Sequence, residues 1–131
     1  KNNQITVIDS GITAQNIFCY VEDAVEMVKQ NKTRSEIVEH IENLKKESSL
    51  TFIPDNLEFL KKGGRIGKVS AILGSILQVK PILRFKGGVL TCVKKSLGMP
   101  RAVADLTSQV PQKCKKIFLL QIGQHPVRRQ R

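Results

Sequence analysis

Two β-prone runs, residues 81–85 and 89–93, flank the sequence Lys86-Gly87-Gly88, and this pattern constrains the fold more than any other feature of the chain. A glycine pair between two such runs is typical of a tight β-hairpin, because glycine adopts the left-handed backbone conformations that a two-residue turn needs. Strands joined in this way are antiparallel. The chain is therefore predicted to contain a sheet that is at least partly antiparallel.

Helical periodicity precedes the hairpin. Phe18, Val21, Val25 and Val28 recur near helical spacing and predict an amphipathic helix over about residues 14–30. Further elements are predicted as strands at 5–8, 50–53 and 116–120, and as helices at 33–46, where Thr-Arg-Ser-Glu forms a capping box, at 55–62 and at 100–106. This mixture predicts an α/β sandwich in which helices cover the sheet.

Positive charge is concentrated in one segment. The chain has 22 Lys and Arg against 11 Asp and Glu, and residues 61–101 contain ten of the basic residues and none of the acidic ones. Such a segment attracts phosphates, carboxylates, acidic protein surfaces or nucleic acid. Phe85 is the only aromatic residue in this segment, so the sequence shows no platform on which bases could stack.

No pattern in the sequence indicates catalysis or a bound metal. Cys19, Cys92 and Cys114 are far apart and form no Cys-x-x-Cys pair, which disfavours both a zinc site and a disulfide framework and fits a reducing cytoplasm. Ser10 has no nucleophile elbow around it, and the Lys and Gly residues near position 67 do not match a phosphate loop. We therefore expect a protein that is not an enzyme and has no cofactor.

Two segments leave functional and structural interpretations open. In residues 56–68 a helix ending in two lysines is followed by Gly63-Gly64-Arg65, which can present a guanidinium to a carboxylate or phosphate, or can be a plain helix C-cap. Residues 69–77 form an apolar run that contains the small residues Ala71, Gly74 and Ser75. Small residues permit close packing, but they can also leave room for a ligand.

Three segments resemble the DegV family of proteins. Residues 52–66, Phe-Ile-Pro-Asp-Asn-Leu-Glu-Phe-Leu-Lys-Lys-Gly-Gly-Arg-Ile, are similar to the central signature of that family. Residues 71–83 are similar to the segment that follows the signature, and Val7-Ile8-Asp9-Ser10 resembles the strand that leads into the long helix of the family. The resemblance runs in the same order from about residue 5 to residue 120.

The resemblance implies a fold and a function. DegV proteins are two-domain α/β proteins of about twice this length that hold a fatty acid, with its tail in an apolar tunnel and its carboxylate near the domain junction. In many bacteria they carry the acyl chain to a separate kinase, which makes acyl phosphate. The first domain, with the hydroxyls that hold the carboxylate, is expected to be missing before Lys1, so we expect residues 1–123 to be a single α/β domain and residues 124–131 a disordered tail.

The resemblance also assigns roles to residues. It implies Arg65 and Ser10 at the lipid head group and Lys68, Lys95 and Arg101 at the surface that docks the kinase. The pocket that holds the lipid tail is expected to be lined by Phe18, Phe52, Ile53, Leu60, Ile66, Leu73, Ile76, Leu77 and Ile82.

The sequence departs from the family pattern after the hairpin. The family has Lys-x-Arg-Gly-Arg there, whereas this chain has Leu97 and Met99 in place of the two arginines, which weakens the case for kinase docking. The alternative function is a basic module that binds a protein partner or nucleic acid, and a homodimer is a further expectation.

Overall fold

The computed structural model describes residues 5–64, 78–114 and 116–118. These residues form four helices and three strands in the following order: α1 (Gln15–Lys29), α2 (Arg34–Glu47), β1 (Leu50–Phe52), α3 (Glu58–Lys62), β2 (Val79–Lys86), β3 (Val89–Leu97) and α4 (Met99–Thr107). None of the helices in these ranges is long and apolar enough to cross a membrane.

The predicted hairpin is confirmed, and its strands are longer than expected. β2 and β3 pair antiparallel around Gly87 and Gly88, whose φ angles are 55° and 77°. Positive φ at both turn residues is the geometry of a type I′ turn, which glycine adopts without strain. β1 pairs antiparallel with the other side of β2, so the sheet order is β1-β2-β3.

Helices cover both faces of this sheet. Ile82 and Leu83 are neighbours on β2, so their side chains point to opposite faces, and both are fully buried. Leu83 packs against Leu57 and Leu60 around α3. On the Ile82 face, Ala102 of α4 is completely buried, and α4 contacts both β2 and β3. The predicted α/β sandwich is therefore confirmed.

A polar cluster attaches α4 to β3. Asp105 is 8% exposed and accepts hydrogen bonds from Ser96 Oγ at 2.6 Å and from Lys94 Nζ at 2.8 Å. Hydrogen bonds from Lys94 and Ser96 hold the pKa of the Asp105 carboxyl below its usual range. The cluster satisfies a carboxylate that would otherwise be buried at a cost in free energy.

A second cluster joins α1 and α2 to the Leu83 face. Its buried members are Ile12, Tyr20 and Ile41, and Leu50 and Phe85 of the sheet pack against it. The predicted capping box on α2 is present, because Thr33 Oγ1 accepts from the Glu36 N–H and Glu36 Oε2 accepts from the Thr33 N–H. The hydrogen bonds from Thr33 lower the pKa of Glu36 to about 2.

The helix predicted over about residues 14–30 is confirmed as α1, whereas two predicted strands are wrong. The apolar residues whose spacing predicted α1, Phe18, Val21, Val25 and Val28, are 50–62% exposed, while Tyr20 and Ala24 face the cluster. The predicted strand at 5–8 has no strand partner among the described residues, and Ile5 and Val7 are exposed. Residues 116–118, the described part of the predicted last strand, form no strand.

Candidate functional site

An apolar pocket opens between the loop before α1 and the two long helices. Its volume is about 200 Å³. Seven residues line it: Ile8, Ser10, Ile17, Tyr20, Val21, Ala24 and Ile41. Ser10 and Tyr20 carry the only side-chain oxygens in this lining, so the pocket suits an aliphatic chain that bears a small polar group.

The loop that places Ser10 is attached to the hairpin turn. Gly11 has a φ of 58°, its N–H donates to Asp9 Oδ1 at 3.0 Å, and its carbonyl oxygen accepts from the Gly88 N–H at 2.8 Å. A Cβ at Gly11 would lie 3.5 Å from Gly87 Cα, an ordinary van der Waals contact, so it is the positive φ that favours glycine at this position. Ser10 Oγ donates to the Ile12 carbonyl oxygen at 3.0 Å. The hairpin thus fixes the position of the predicted head-group residue.

Tyr20 contributes a buried hydroxyl that the sequence-based prediction missed. Its side chain lies in the middle of α1 and only 6% of the residue is exposed. Among the described parts of the chain, its hydroxyl is the one buried side-chain oxygen or nitrogen that has no hydrogen-bond partner. The available signal was a single tyrosine, the only one in the chain, within an apolar helical pattern.

The described residues among those predicted to line the lipid-tail pocket do not form one group. Phe52 and Leu60 pack together on Leu83, whereas Ile82 points to the opposite face of the sheet. Phe18 is 51% exposed and does not line the apolar pocket, and Ile53 is half-buried beyond the end of β1. The predicted head-group residue Arg65 and the predicted tail residues Ile66, Leu73, Ile76 and Leu77 lie outside the described residues.

Comparison with known proteins identifies the family. A protein-family sequence model, described as 'uncharacterised protein, DegV family', matches residues 1–124. The chain belongs to the DegV family. A DegV domain-containing protein of Deinococcus radiodurans is 34% identical over 107 residues, which is 82% of this chain and 38% of that protein. Another from Clostridium acetobutylicum is 31% identical over 127 residues, or 97% of this chain and 45% of that protein.

Solved DegV structures share the fold. A fatty-acid-binding DegV family protein of Thermus thermophilus superimposes with a TM-score of 0.73 at 28% identity, over 82% of this chain and 38% of its own. DegV of Bacillus subtilis, a fatty acid binding protein, superimposes with a TM-score of 0.63 at 29% identity, over 77% of this chain and 36% of its own. The chain thus spans less than half the length of these relatives.

Two of the three residues that the DegV pattern assigns to partner docking lie on opposite faces of the sheet. Lys95 is exposed opposite Pro81, on the Leu83 face. Arg101 is on α4, on the other face, where its side chain is 71% exposed and its Nε lies 3.5 Å from Asp105 Oδ2. Lys68 lies outside the described residues.

Part of the positive charge of segment 61–101 is compensated within the fold. Lys80 pairs with Asp55 at 3.1 Å, and Lys94 pairs with Asp105 at 2.8 Å. Arg84 donates to the neutral acceptors Thr51 Oγ1 and Gln109 Oε1, which hold its guanidinium in place but do not compensate its charge. The charge available to a partner is therefore smaller than the sequence suggests.

A polar groove lies beside the apolar pocket, on the exposed side of α1. Val21, Asp23, Glu26 and Lys116 are among its lining residues, and its volume is about 440 Å³. His40 Nε2 of α2 lies 3.0 Å from Asp23 Oδ2, and Lys116 Nζ lies 3.0 Å from Asp23 Oδ1. In the described parts of the chain no cluster of His, Cys, Asp and Glu could hold a metal ion.

Acidification is expected to weaken the polar contact between Asp23 of α1 and His40 of α2. The hydrogen bond with His40, together with Lys116, holds the pKa of the Asp23 carboxyl below the usual 3.8. A carboxyl whose pKa is lower in the folded state than in the unfolded state stabilises the fold at pH values above its unfolded-state pKa. This stability is lost as the pH falls through its folded-state pKa. The free energy of unfolding should therefore fall below pH 3.8 more steeply in the wild type than in Asp23→Asn, as measured by urea unfolding across acidic pH. Equal slopes for the two proteins would contradict this assignment.

Proposed function

We propose that this chain forms part of a fatty-acid-binding site and holds an acyl chain in the apolar pocket beside α1. The observation that carries the proposal is the pocket itself, whose lining is aliphatic except for the two hydroxyl-bearing residues Ser10 and Tyr20. Family membership supports it, because the related proteins from T. thermophilus and B. subtilis bind fatty acids.

Physical chemistry favours an acyl chain over a polar ligand at this site. Burial of each CH₂ contributes about 0.8 kcal/mol, so a few methylenes in the pocket give a useful binding free energy. Ile8, Ile17 and Ile41 offer no polar atom that a sugar or nucleotide could use. A carboxylate needs donors, which restricts its position to the neighbourhood of the Ser10 and Tyr20 hydroxyls or of a cationic side chain such as Arg65.

The proposal extends to the fate of the ligand. The protein is a carrier that performs no chemistry, resides in the cytoplasm and presents its acyl chain to a fatty acid kinase that forms acyl phosphate. Lys68, Lys95 and Arg101 are proposed to contact that kinase. Because Lys95 and Arg101 lie on opposite faces of the sheet, a kinase that contacts both must approach the sheet from the side of β3.

Stearic acid binding tests the proposal. Isothermal titration of the purified chain with stearic acid below its aggregation threshold should give saturable binding, and lipid extraction of the purified protein should release a fatty acid. Octadecane, which has the tail but no carboxylate, should bind more weakly because it makes no hydrogen bond to the hydroxyls. A chain that carries no lipid and gives no heat with stearic acid would refute acyl binding by these residues.

A further inference from the structure

We infer that the Tyr20 hydroxyl is a head-group donor, which hydrogen-bonds a carboxylate oxygen of the acyl ligand in the apolar pocket. This inference rests on the proposed function and makes it specific, because it names the donor. Two independent observations meet at this residue. Tyr20 lines the pocket, and its hydroxyl is buried and has no hydrogen-bond partner within the described ranges.

A buried hydroxyl without a partner is unfavourable. Leaving such a group unpaired costs about 1–3 kcal/mol, and native proteins rarely keep one without a reason. Ile12, Ile41 and the half-buried Leu44 around Tyr20 are aliphatic and offer no side-chain acceptor. An acceptor supplied by a ligand removes this cost, so the unpaired hydroxyl favours binding of a ligand that carries an acceptor.

The neighbouring hydroxyl of Ser10 is less suited to the donor role. Its hydrogen is directed at the Ile12 carbonyl oxygen at 3.0 Å. A carboxylate accepts hydrogen bonds and cannot donate one, so Ser10 must break this contact before it can serve the ligand. The Tyr20 hydroxyl breaks no hydrogen bond within the described structure when it turns to a carboxylate.

The contact requires a small movement of the phenol. The hydroxyl oxygen is closed off by its neighbours, although the residue lines the pocket. Ala24, one turn along α1, lines the same pocket and has only a methyl side chain. The ligand thus selects a rotated Tyr20 side chain, and the environment of the ring must change on binding.

Stearic acid affinity of Tyr20→Phe, compared with wild type and Ser10→Ala, tests the assignment. Phenylalanine keeps the ring and removes only the hydroxyl. A hydrogen bond to a charged acceptor is worth enough that Tyr20→Phe should bind stearate about tenfold to a hundredfold more weakly. Ser10→Ala should change the affinity less than Tyr20→Phe does. Octadecane should bind wild type and Tyr20→Phe equally, because it has no acceptor.

The outcomes separate this inference from the proposed function. If wild type binds stearate and Tyr20→Phe binds it equally well, Tyr20 is only a packing residue and the proposed function stands. If wild type does not bind stearate, the proposed function and this inference both fall. If Tyr20→Phe lowers the affinities for stearate and octadecane alike, the loss of affinity comes from a changed pocket shape, and the donor role is refuted.

Tyrosine fluorescence gives a second measurement that needs no variant. The chain has one tyrosine and no tryptophan, so its intrinsic emission reports Tyr20 alone. Titration of the wild type with stearate should change this emission with the same midpoint as the heat of binding, and octadecane should change it less. Emission that stays constant while stearate binds would overturn the inference.

Discussion

Leu83→Ala is expected to lower the free energy of unfolding by about 2–5 kcal/mol, the range for a large apolar residue truncated in a core. Leu83 is completely buried, and Phe52, Leu57, Leu60 and Leu90 pack against it. Truncation removes the transfer free energy of the side chain and leaves a cavity between the sheet and α3. Urea unfolding followed by far-ultraviolet circular dichroism measures the change.

Leu97 provides the matched control on the same hairpin. It is a leucine at the end of β3 and 65% exposed, so Leu97→Ala should change the free energy of unfolding by no more than about 0.5 kcal/mol. The comparison keeps the chemistry of the substitution constant and varies only burial. Equal losses in the two variants would mean that the sheet is not the core of this chain.

Local sequence signals predicted the local structure well. The glycine pair of the hairpin and the capping box of Thr33 and Glu36 each specify backbone geometry through residues within four positions of one another. Such features need no knowledge of the rest of the molecule. The same is true of the α3 end, where Gly64 has the positive φ of 67° that a helix-terminating glycine pair predicts.

Periodicity was less informative about which side of α1 is buried. The spacing of Phe18, Val21, Val25 and Val28 marks an apolar stripe, but periodicity does not say what covers it. Within the described structure a different side of α1, centred on Tyr20 and Ala24, packs against Ile41. α1 is therefore apolar on two sides, and a pattern that assumes one buried side chooses between them arbitrarily.

The candidate site was predicted only in part, for a related reason. Ser10 was found because it lies in a segment that resembles the family pattern, and it does line the pocket. Tyr20 was missed because a hydroxyl without a partner is a property of three-dimensional packing, which the sequence around the residue does not reveal. Residues on the two faces of the sheet, such as Leu60 and Ile82, were grouped because sequence similarity does not reveal which face each occupies.

Replacement of both turn glycines by valine is expected to destabilise the protein by about 2–4 kcal/mol, since each left-handed residue with a side chain costs about 1–2 kcal/mol. Gly87 and Gly88 both have positive φ, and a Cβ at either position meets no atom within 4 Å. The cost is therefore conformational, without a steric clash. Thermal unfolding of Gly87→Val/Gly88→Val against wild type measures it.

Gly87→Asn is the control for this change. Asn-Gly is the preferred pair for a type I′ turn, so this variant adds a side chain at the same position and should keep nearly all the stability. If it loses as much as the double valine variant, side-chain bulk at the tip is the cause and the conformational explanation is wrong.

The turn also links stability to the ligand site. The Gly88 N–H donates to the Gly11 carbonyl oxygen, and Gly11 directly follows Ser10 in the loop that lines the apolar pocket. A distorted turn moves that N–H and releases the loop, so Gly87→Val/Gly88→Val should also weaken stearate binding under conditions where the variant remains folded. Gly87→Asn should bind as wild type does. Unchanged affinity in the folded double variant would show that the loop holds its position without the hairpin.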